Sequence, residues 1–175
     1  MKRPVLRAGA RRSPFEQAPS SFKIRAIPTL SVVLGSLASA LPIVSDYPAL
    51  PPFGLMLFLG WRLLQRHVWY PWSAVLLGFF NDIASGAPGT ATLTWPLIQI
   101  ALDIIDPRIA WRDHMTDWRL GGAFAALYLL LALIIGNLTG GHTPVLLILP
   151  QILITILLFP LIIRICAALD VWRLR

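Results

Sequence analysis

The distribution of apolar residues constrains this chain most, because they fall in six blocks of nearly membrane-spanning length. A helix that crosses a bilayer needs about 20 apolar residues at a rise of about 1.5 Å per residue. In chain order the blocks are residues 26–44, 48–64, 71–86, 89–105, 120–138 and 144–169. The second, third and fourth blocks are short, which membranes accommodate by local thinning and helices by packing against neighbours. The pattern predicts an all-α integral membrane domain with six transmembrane helices over residues 26–170.

The composition argues against a soluble domain. Only 13% of the residues are charged and 57% are hydrophobic, whereas about a quarter of a typical soluble domain is charged. A soluble domain of 175 residues has too high a surface-to-volume ratio to bury this much apolar area. The net charge of +7 suggests nucleic-acid binding, but the cations flank apolar blocks and do not line one face, so we exclude that class.

The positions of the cations predict the orientation of the blocks. All 15 Lys and Arg lie within residues 2–25, 62–66, 108–119 and 164–175. Basic loops stay in the cytoplasm, so six spans with both termini inside keep every cation there, whereas five or seven would not. Tryptophans cluster beside the same segments, where an indole can sit between lipid tails and headgroups. Residues 171–175 are then a cytoplasmic end.

The first 25 residues predict a basic, disordered cytoplasmic tail, because they contain Pro and Ser and few apolar residues. The tail can act as a topology signal and can also contact anionic lipid, and the two roles are compatible. Ala38-Ser39-Ala40 has the form of a signal-peptidase site. The long charged region before it and the nearby Pro42 argue against cleavage.

The predicted cytoplasmic connection 106–119 carries Trp111, Met115 and Trp118 at i, i+4 and i+7. This spacing indicates a short amphipathic helix lying in the membrane interface. The alternative is an irregular loop that the two tryptophans anchor.

The sequence contains no Gly-x-Ser-x-Gly elbow, no P-loop and no Gly-x-Gly-x-x-Gly motif. Cys166 is the single cysteine, and His67, His114 and His142 are too far apart in sequence to suggest a metal site. We therefore expect a protein that is not an enzyme and has no cofactor.

Asp103 and Asp106 have the Asp-x-x-Asp spacing that can hold Mg²⁺ on a diphosphate in a membrane transferase. No second acidic motif faces them within the apolar blocks. We expect instead that Asp103 ends a helix near the headgroups and pairs with Arg62, Arg66 or Arg108.

Asp82 lies inside the third block, and a carboxylate within a membrane is a functional candidate by default. Ser85, Gly86, Pro88 and Gly89 follow it and break the helical pattern, which frees backbone N–H groups. Three roles stay open: the carboxylate can accept from those N–H groups and hold the turn, contact a partner, or handle a proton or ion.

Residues 78–89, Gly-Phe-Phe-Asn-Asp-Ile-Ala-Ser-Gly-Ala-Pro-Gly, resemble the central motif of the rod shape-determining protein MreD family. That family has a Gly, an Asp four residues later, a pair of small residues and a turn that opens the next helix. Gly78, Asp82, Gly86 and Gly89 match it. Residues 52–62 also resemble the family's second span. The resemblance covers about residues 26–170 and leaves out the tail before Lys23.

The resemblance implies a non-enzymatic membrane subunit of the bacterial cell-elongation machinery. MreD-like proteins bind the single-span protein MreC, and together they connect MreB filaments to RodA and penicillin-binding protein 2. Their six-helix fold is similar to that of the substrate-binding subunits of energy-coupling-factor transporters. A vitamin-binding subunit of such a transporter is therefore the alternative function.

Small residues in the first and fifth blocks are candidates for contact with an MreC-like helix, since small side chains favour close helix packing in lipid. Gly35 and Ala126 represent the two surfaces. Small residues also pack a protein's own helices, so each surface has an intramolecular alternative.

Overall fold

The computed structural model describes residues 21–39, 50–66, 68–70, 72–87, 89–108 and 113–173. Within these residues the regular structure is helical, and there is no strand. The helices are α1 (Ser21–Ser39), α2 (Phe53–Leu64), α3 (Ser73–Ser85), α4 (Thr90–Ile105), α5 (His114–Leu138) and α6 (Leu149–Arg173). Short 3₁₀ turns cover Asp106–Arg108 and Val145–Ile148. Residues 1–20 of the predicted disordered tail lie outside the described part of the chain, whereas residues 21–25 are helical and form the first turn of α1, because the helix extends beyond its apolar stretch.

Turn residues and caps explain where several helices begin. The helix α2 starts at Phe53, directly after Pro51 and Pro52, since proline is suited to a helix start and not to its interior. The Asp113 carboxylate accepts a hydrogen bond from the N–H of His114 and so caps α5. Residues 114–119 therefore form the first turns of α5 and not a separate interfacial helix. Trp111 lies outside the described residues.

The helix α2 lies at the centre of the bundle. Nine of its 12 residues are buried, including Phe58 and Trp61. The other five helices surround it in the order α1, α3, α4, α5, α6, and α6 returns to contact α1. The Phe58 ring stacks between Trp69 and Trp95, at centroid distances of 5.3 and 4.9 Å, which ties α2 to α4.

Two segments are long and apolar enough to cross a membrane, His114–Leu138 and Val145–Arg173, as judged from length and composition. With 25 residues, α5 extends over about 37 Å, which exceeds the roughly 30 Å hydrocarbon core. Three shorter apolar helices cover Arg25–Ala38, Phe53–Leu64 and Ser73–Ser85. Pro51 and Pro52 in front of α2, and the glycine turn after α3, explain why those two helices are short.

Candidate functional site: the turn between α3 and α4 and the adjoining cavity

The Asp82 carboxylate joins the end of α3 to the beginning of α4. The N–H of Ala91 donates to its Oδ1, with an N···O distance of 2.8 Å. The N–H of Thr92 donates to Oδ2 at 2.8 Å, and the Thr92 hydroxyl donates to the same oxygen at 2.6 Å. Asp82 is buried, and both of its oxygens are engaged within the chain.

Two glycines shape the turn that Asp82 closes. Gly86 has φ +68°, and its N–H donates to the Asp82 carbonyl oxygen, so it ends α3 in the left-handed region. Gly89 has φ +75° and precedes α4. Glycine adopts these angles without the steric penalty of a Cβ. Because Gly89 has no side chain to cap α4, the first N–H groups of that helix need another acceptor, and Asp82 provides it.

A negative charge near a helix N-terminus is favourable, because the backbone dipoles leave partial positive charge there. The donors to the carboxylate of Asp82 lie in the first turn of α4, and no cation is among them. The Thr92 hydroxyl is a contact that the sequence interpretation missed. The sequence could have indicated this contact, because Thr92 lies three residues after a glycine that opens a helix.

Gly78 brings α3 and α4 close enough for these hydrogen bonds. A Cβ built on Gly78 would lie 2.5 Å from the carbonyl oxygen of Ala91 and 2.8 Å from its carbonyl carbon. Gly78 lies one helical turn before Asp82, so both residues face the first turn of α4. The four motif positions (Gly78, Asp82, Gly86 and Gly89) thus form one helix–turn–helix unit.

The chain also approaches itself closely where α1, α2 and α3 meet. A Cβ on Gly54 would lie 2.4 Å from Ser36 Oγ and 2.8 Å from Asn81 Oδ1. Gly35 packs against α2 in the same way, since its Cβ would lie 2.6 Å from Leu57 Cδ1. Gly35 therefore belongs to the packing within the protein, and the surface that it represents is not open to a partner helix at this position.

The small residues of α5 divide between two environments. A Cβ on Gly121 would lie 1.9 Å from the Phe159 ring, and one on Gly122 would lie 3.4 Å from Ile156, so both residues pack against α6. Ala126 is half-buried. A Cβ on Gly136 would meet nothing within 4 Å. The small size of these residues therefore did not predict which of them pack against α6 and which face open space.

A cavity of about 480 Å³ adjoins the turn. It lies between the start of α2, the end of α3, the second half of α5 and the start of α6. Its polar lining residues are Asn81, Ser85, Tyr128, Asn137, Thr143 and Gln151. None of the described residues that line it carries a charge. Sequence reasoning did not find this cavity, because its lining comes from four separated segments.

Arg62 carries the main ionic contacts at the opposite end of the bundle. Its buried guanidinium forms salt bridges with Asp103 and with Asp106, the latter at 3.0 Å. Arg66 also approaches Asp106, at 3.7 Å. The expected pairing of Asp103 with a nearby arginine is confirmed, with Arg62 as the partner. Both carboxylates of the Asp-x-x-Asp pair thus contact arginine.

Within the described residues, no group of three or more His, Cys, Asp or Glu could hold a metal ion. Comparisons with protein-family models, with curated proteins and with solved structures find no match for this chain.

Proposed function

We propose that this chain is a multi-pass inner-membrane subunit of the bacterial cell-elongation complex, similar to MreD, that acts by binding and not by catalysis. Its partner is an MreC-like single-span protein, through which it connects indirectly to MreB filaments, RodA and penicillin-binding protein 2. Together they place lateral peptidoglycan synthesis and maintain rod shape. The resemblance of residues 78–89 and the structure of that segment support this proposal.

The observation that carries the proposal is the hydrogen bonding of Asp82. Both oxygens of Asp82 accept hydrogen bonds from the first turn of α4, and these three bonds use most of the acceptor capacity of the carboxylate. The acidic residue of the motif therefore stabilises the helix pair. This favours a structural and partner-binding role over chemistry.

The outer surfaces of the helices support a six-span arrangement. Large apolar side chains are exposed on each of the five helices that surround α2, among them Leu34, Phe79, Leu97, Ile134 and Leu157. Monomeric soluble proteins rarely expose apolar area on this scale, whereas lipid accepts it. Six spans with cytoplasmic termini also keep every Lys and Arg on one side.

The topology is tested by single-cysteine labelling in a Cys166→Ser background. Cys166 is the one cysteine of the sequence, so each introduced cysteine is then the only thiol in the protein. Cys166 is buried. We expect a membrane-impermeant maleimide to label cysteines at residues 46, 87 and 141 from outside intact cells. A cysteine at residue 110 should react only after permeabilisation. Strong outside labelling at residue 110 would contradict cytoplasmic placement of that connection.

The function is tested by co-purification with the MreC-like protein of the same cell and by depletion of this chain. We expect the two proteins to co-purify from detergent, and depleted rod-shaped cells to become round. Ala126→Phe should weaken the complex if α5 is the contact surface, and Leu127→Phe, at an exposed neighbour, is the matched control. Unchanged cell shape together with no MreC-like protein in the purified complex would refute the proposal.

The second candidate function, a vitamin-binding transporter subunit, is favoured by the cavity of about 480 Å³ at the end without cations. Such subunits need a ligand pocket open to the outer face. Tight binding of a vitamin by the purified protein, with unaltered cell shape after depletion, would select this function over the first.

A further inference from the structure

The cavity beside the turn has the size of a small-molecule site. Ligand pockets in proteins are about 300–1,000 Å³, and this one is about 480 Å³. It lies at the end of the bundle where the connecting segments contain no Lys or Arg. Apolar side chains such as Leu129, Leu133 and Ile148 form much of its wall.

Three of its six polar side chains already have partners within the chain. Gln151 donates to the Leu50 carbonyl oxygen. Asn137 donates to the Thr143 carbonyl and accepts from the Thr143 N–H. Ser85 donates to the carbonyl oxygen of Asn81. These bonds hold the rim together and leave few groups to meet a ligand.

Asn81 and Tyr128 differ from the other polar lining residues. Both are buried, and both line the cavity, Asn81 from α3 and Tyr128 from α5. An amide can donate two and accept two hydrogen bonds, and a phenol can donate one and accept two, so the two side chains have the capacity to bind a polar group of a ligand. The pair therefore offers a polar point in an apolar cavity.

We propose that this cavity binds an uncharged, mainly apolar small molecule whose polar group hydrogen-bonds to Asn81 and Tyr128. An ionised ligand is disfavoured, because a charge taken from water into an apolar site needs a counter-charge. The described lining provides none. The proposal is independent of whether the protein serves cell elongation or transport.

Benzophenone is a suitable probe, because it is neutral, has two aromatic rings and carries one carbonyl acceptor. On irradiation its ketone takes a hydrogen atom from a nearby C–H group. The two resulting radicals then join, which leaves a tertiary alcohol on the protein. We expect adducts in the purified full chain, mapped by mass spectrometry, to concentrate on the segments that contain Pro51, Tyr128 and Leu133.

Variants test whether benzophenone reacts in the cavity or on the lipid-facing surface. Ala132→Trp fills the cavity and should abolish these adducts, whereas Leu130→Trp, at an exposed position on the same helix, should not. Tyr128→Phe removes one hydroxyl and should raise the half-saturating benzophenone concentration about 3- to 10-fold, the size expected for one neutral hydrogen bond. Circular dichroism of each variant checks that the helices are retained.

A second probe tests whether the cavity excludes a charged ligand. The anionic probe 4-benzoylbenzoate has the same rings and ketone, and it should leave the cavity segments unlabelled. Equal labelling of those segments by both probes would overturn the proposal. The proposal would also be overturned if the adducts were spread evenly over the exposed aliphatic residues and Ala132→Trp did not change them. Loss of co-purification with the MreC-like protein would not by itself overturn the cavity proposal, since that result bears on the proposed function and not on the cavity.

Discussion

The two ends of the helical bundle are stabilised by different chemistry. At the end that carries the cations, side chains pair with side chains: Arg62 bridges Asp103 and Asp106. Gln65 donates to Asp170 at 2.8 Å and accepts from Arg173, whose guanidinium lies 5.1 Å from the centre of the Trp61 ring. These contacts join α2 to the ends of α4 and α6.

At the opposite end, side chains pair with the backbone. Asp82 accepts from the N–H groups of Ala91 and Thr92, and Gln151 donates to a carbonyl oxygen that precedes α2. Asp82 is the one acidic side chain in this contact set, and helix α4 compensates its charge without a cation.

The difference shows how a buried carboxylate can be stabilised without disturbing the distribution of cations. A cation beside Asp82 would place a basic residue at the end that the proposed topology keeps free of them. The dipole of α4 avoids that conflict, since it supplies partial positive charge and no formal charge. The proposed orientation and the stability of the turn therefore depend on separate residues.

Removal of the Asp82 carboxylate should lower the stability of the protein more than any other change at the two ends. We expect Asp82→Ala to lower the free energy of unfolding by at least about 3 kcal/mol, because two N–H groups and a hydroxyl lose their acceptor at about 1–3 kcal/mol each. Thermal unfolding in detergent measures it. Asp113→Ala removes an exposed helix cap and should cost about 1 kcal/mol. An Asp82→Ala protein that accumulates normally, binds its partners and lacks function would contradict the structural role.

Disruption of the ionic end should cost less. We expect Arg62→Met to lower the free energy of unfolding by about 2–3 kcal/mol, below the usual 3–5 kcal/mol for breaking a buried pair. The reason is that Asp103 is half exposed and Arg66 still approaches Asp106. The double variant Arg62→Met with Asp106→Leu should recover most of the loss in the same thermal assay. If it is no more stable than the single variant, the pair is not what stabilises this end.

A change at the Gly78 contact tests how closely α3 and α4 approach each other. Gly78→Ala places a methyl group against the backbone of Ala91, which cannot move aside as a side-chain tip can, so we expect the free energy of unfolding to fall by at least about 1–3 kcal/mol. Gly136→Ala is the control, since open space surrounds that position and alanine favours a helix by up to about 1 kcal/mol. Equal stability changes in the two variants would show that α3 and α4 are not in backbone contact.

The apolar pattern predicted the order of the helices well, and helix α4 begins within one residue of its predicted start. It placed the starts of α1 and α5 too late, because a helix continues through polar residues beyond its apolar stretch. Ser21 and His114 show this, since both begin helices ahead of the apolar blocks. The boundary of an apolar block marks a change in side-chain polarity and not the end of backbone hydrogen bonding.

By itself, the sequence determined which segments are apolar, where every cation lies, and that Asp82 is an exceptional residue beside a glycine turn. Tertiary structure alone decided that Ala91 and Thr92 bind this carboxylate, that Gly35 packs inward, and that Asn81 and Tyr128 line one cavity. The physical reason is that lipid and protein interior are equally apolar. Hydrophobicity therefore does not distinguish a side chain that would face lipid from one buried in the protein, and only the packing of the helices determines which side chains touch.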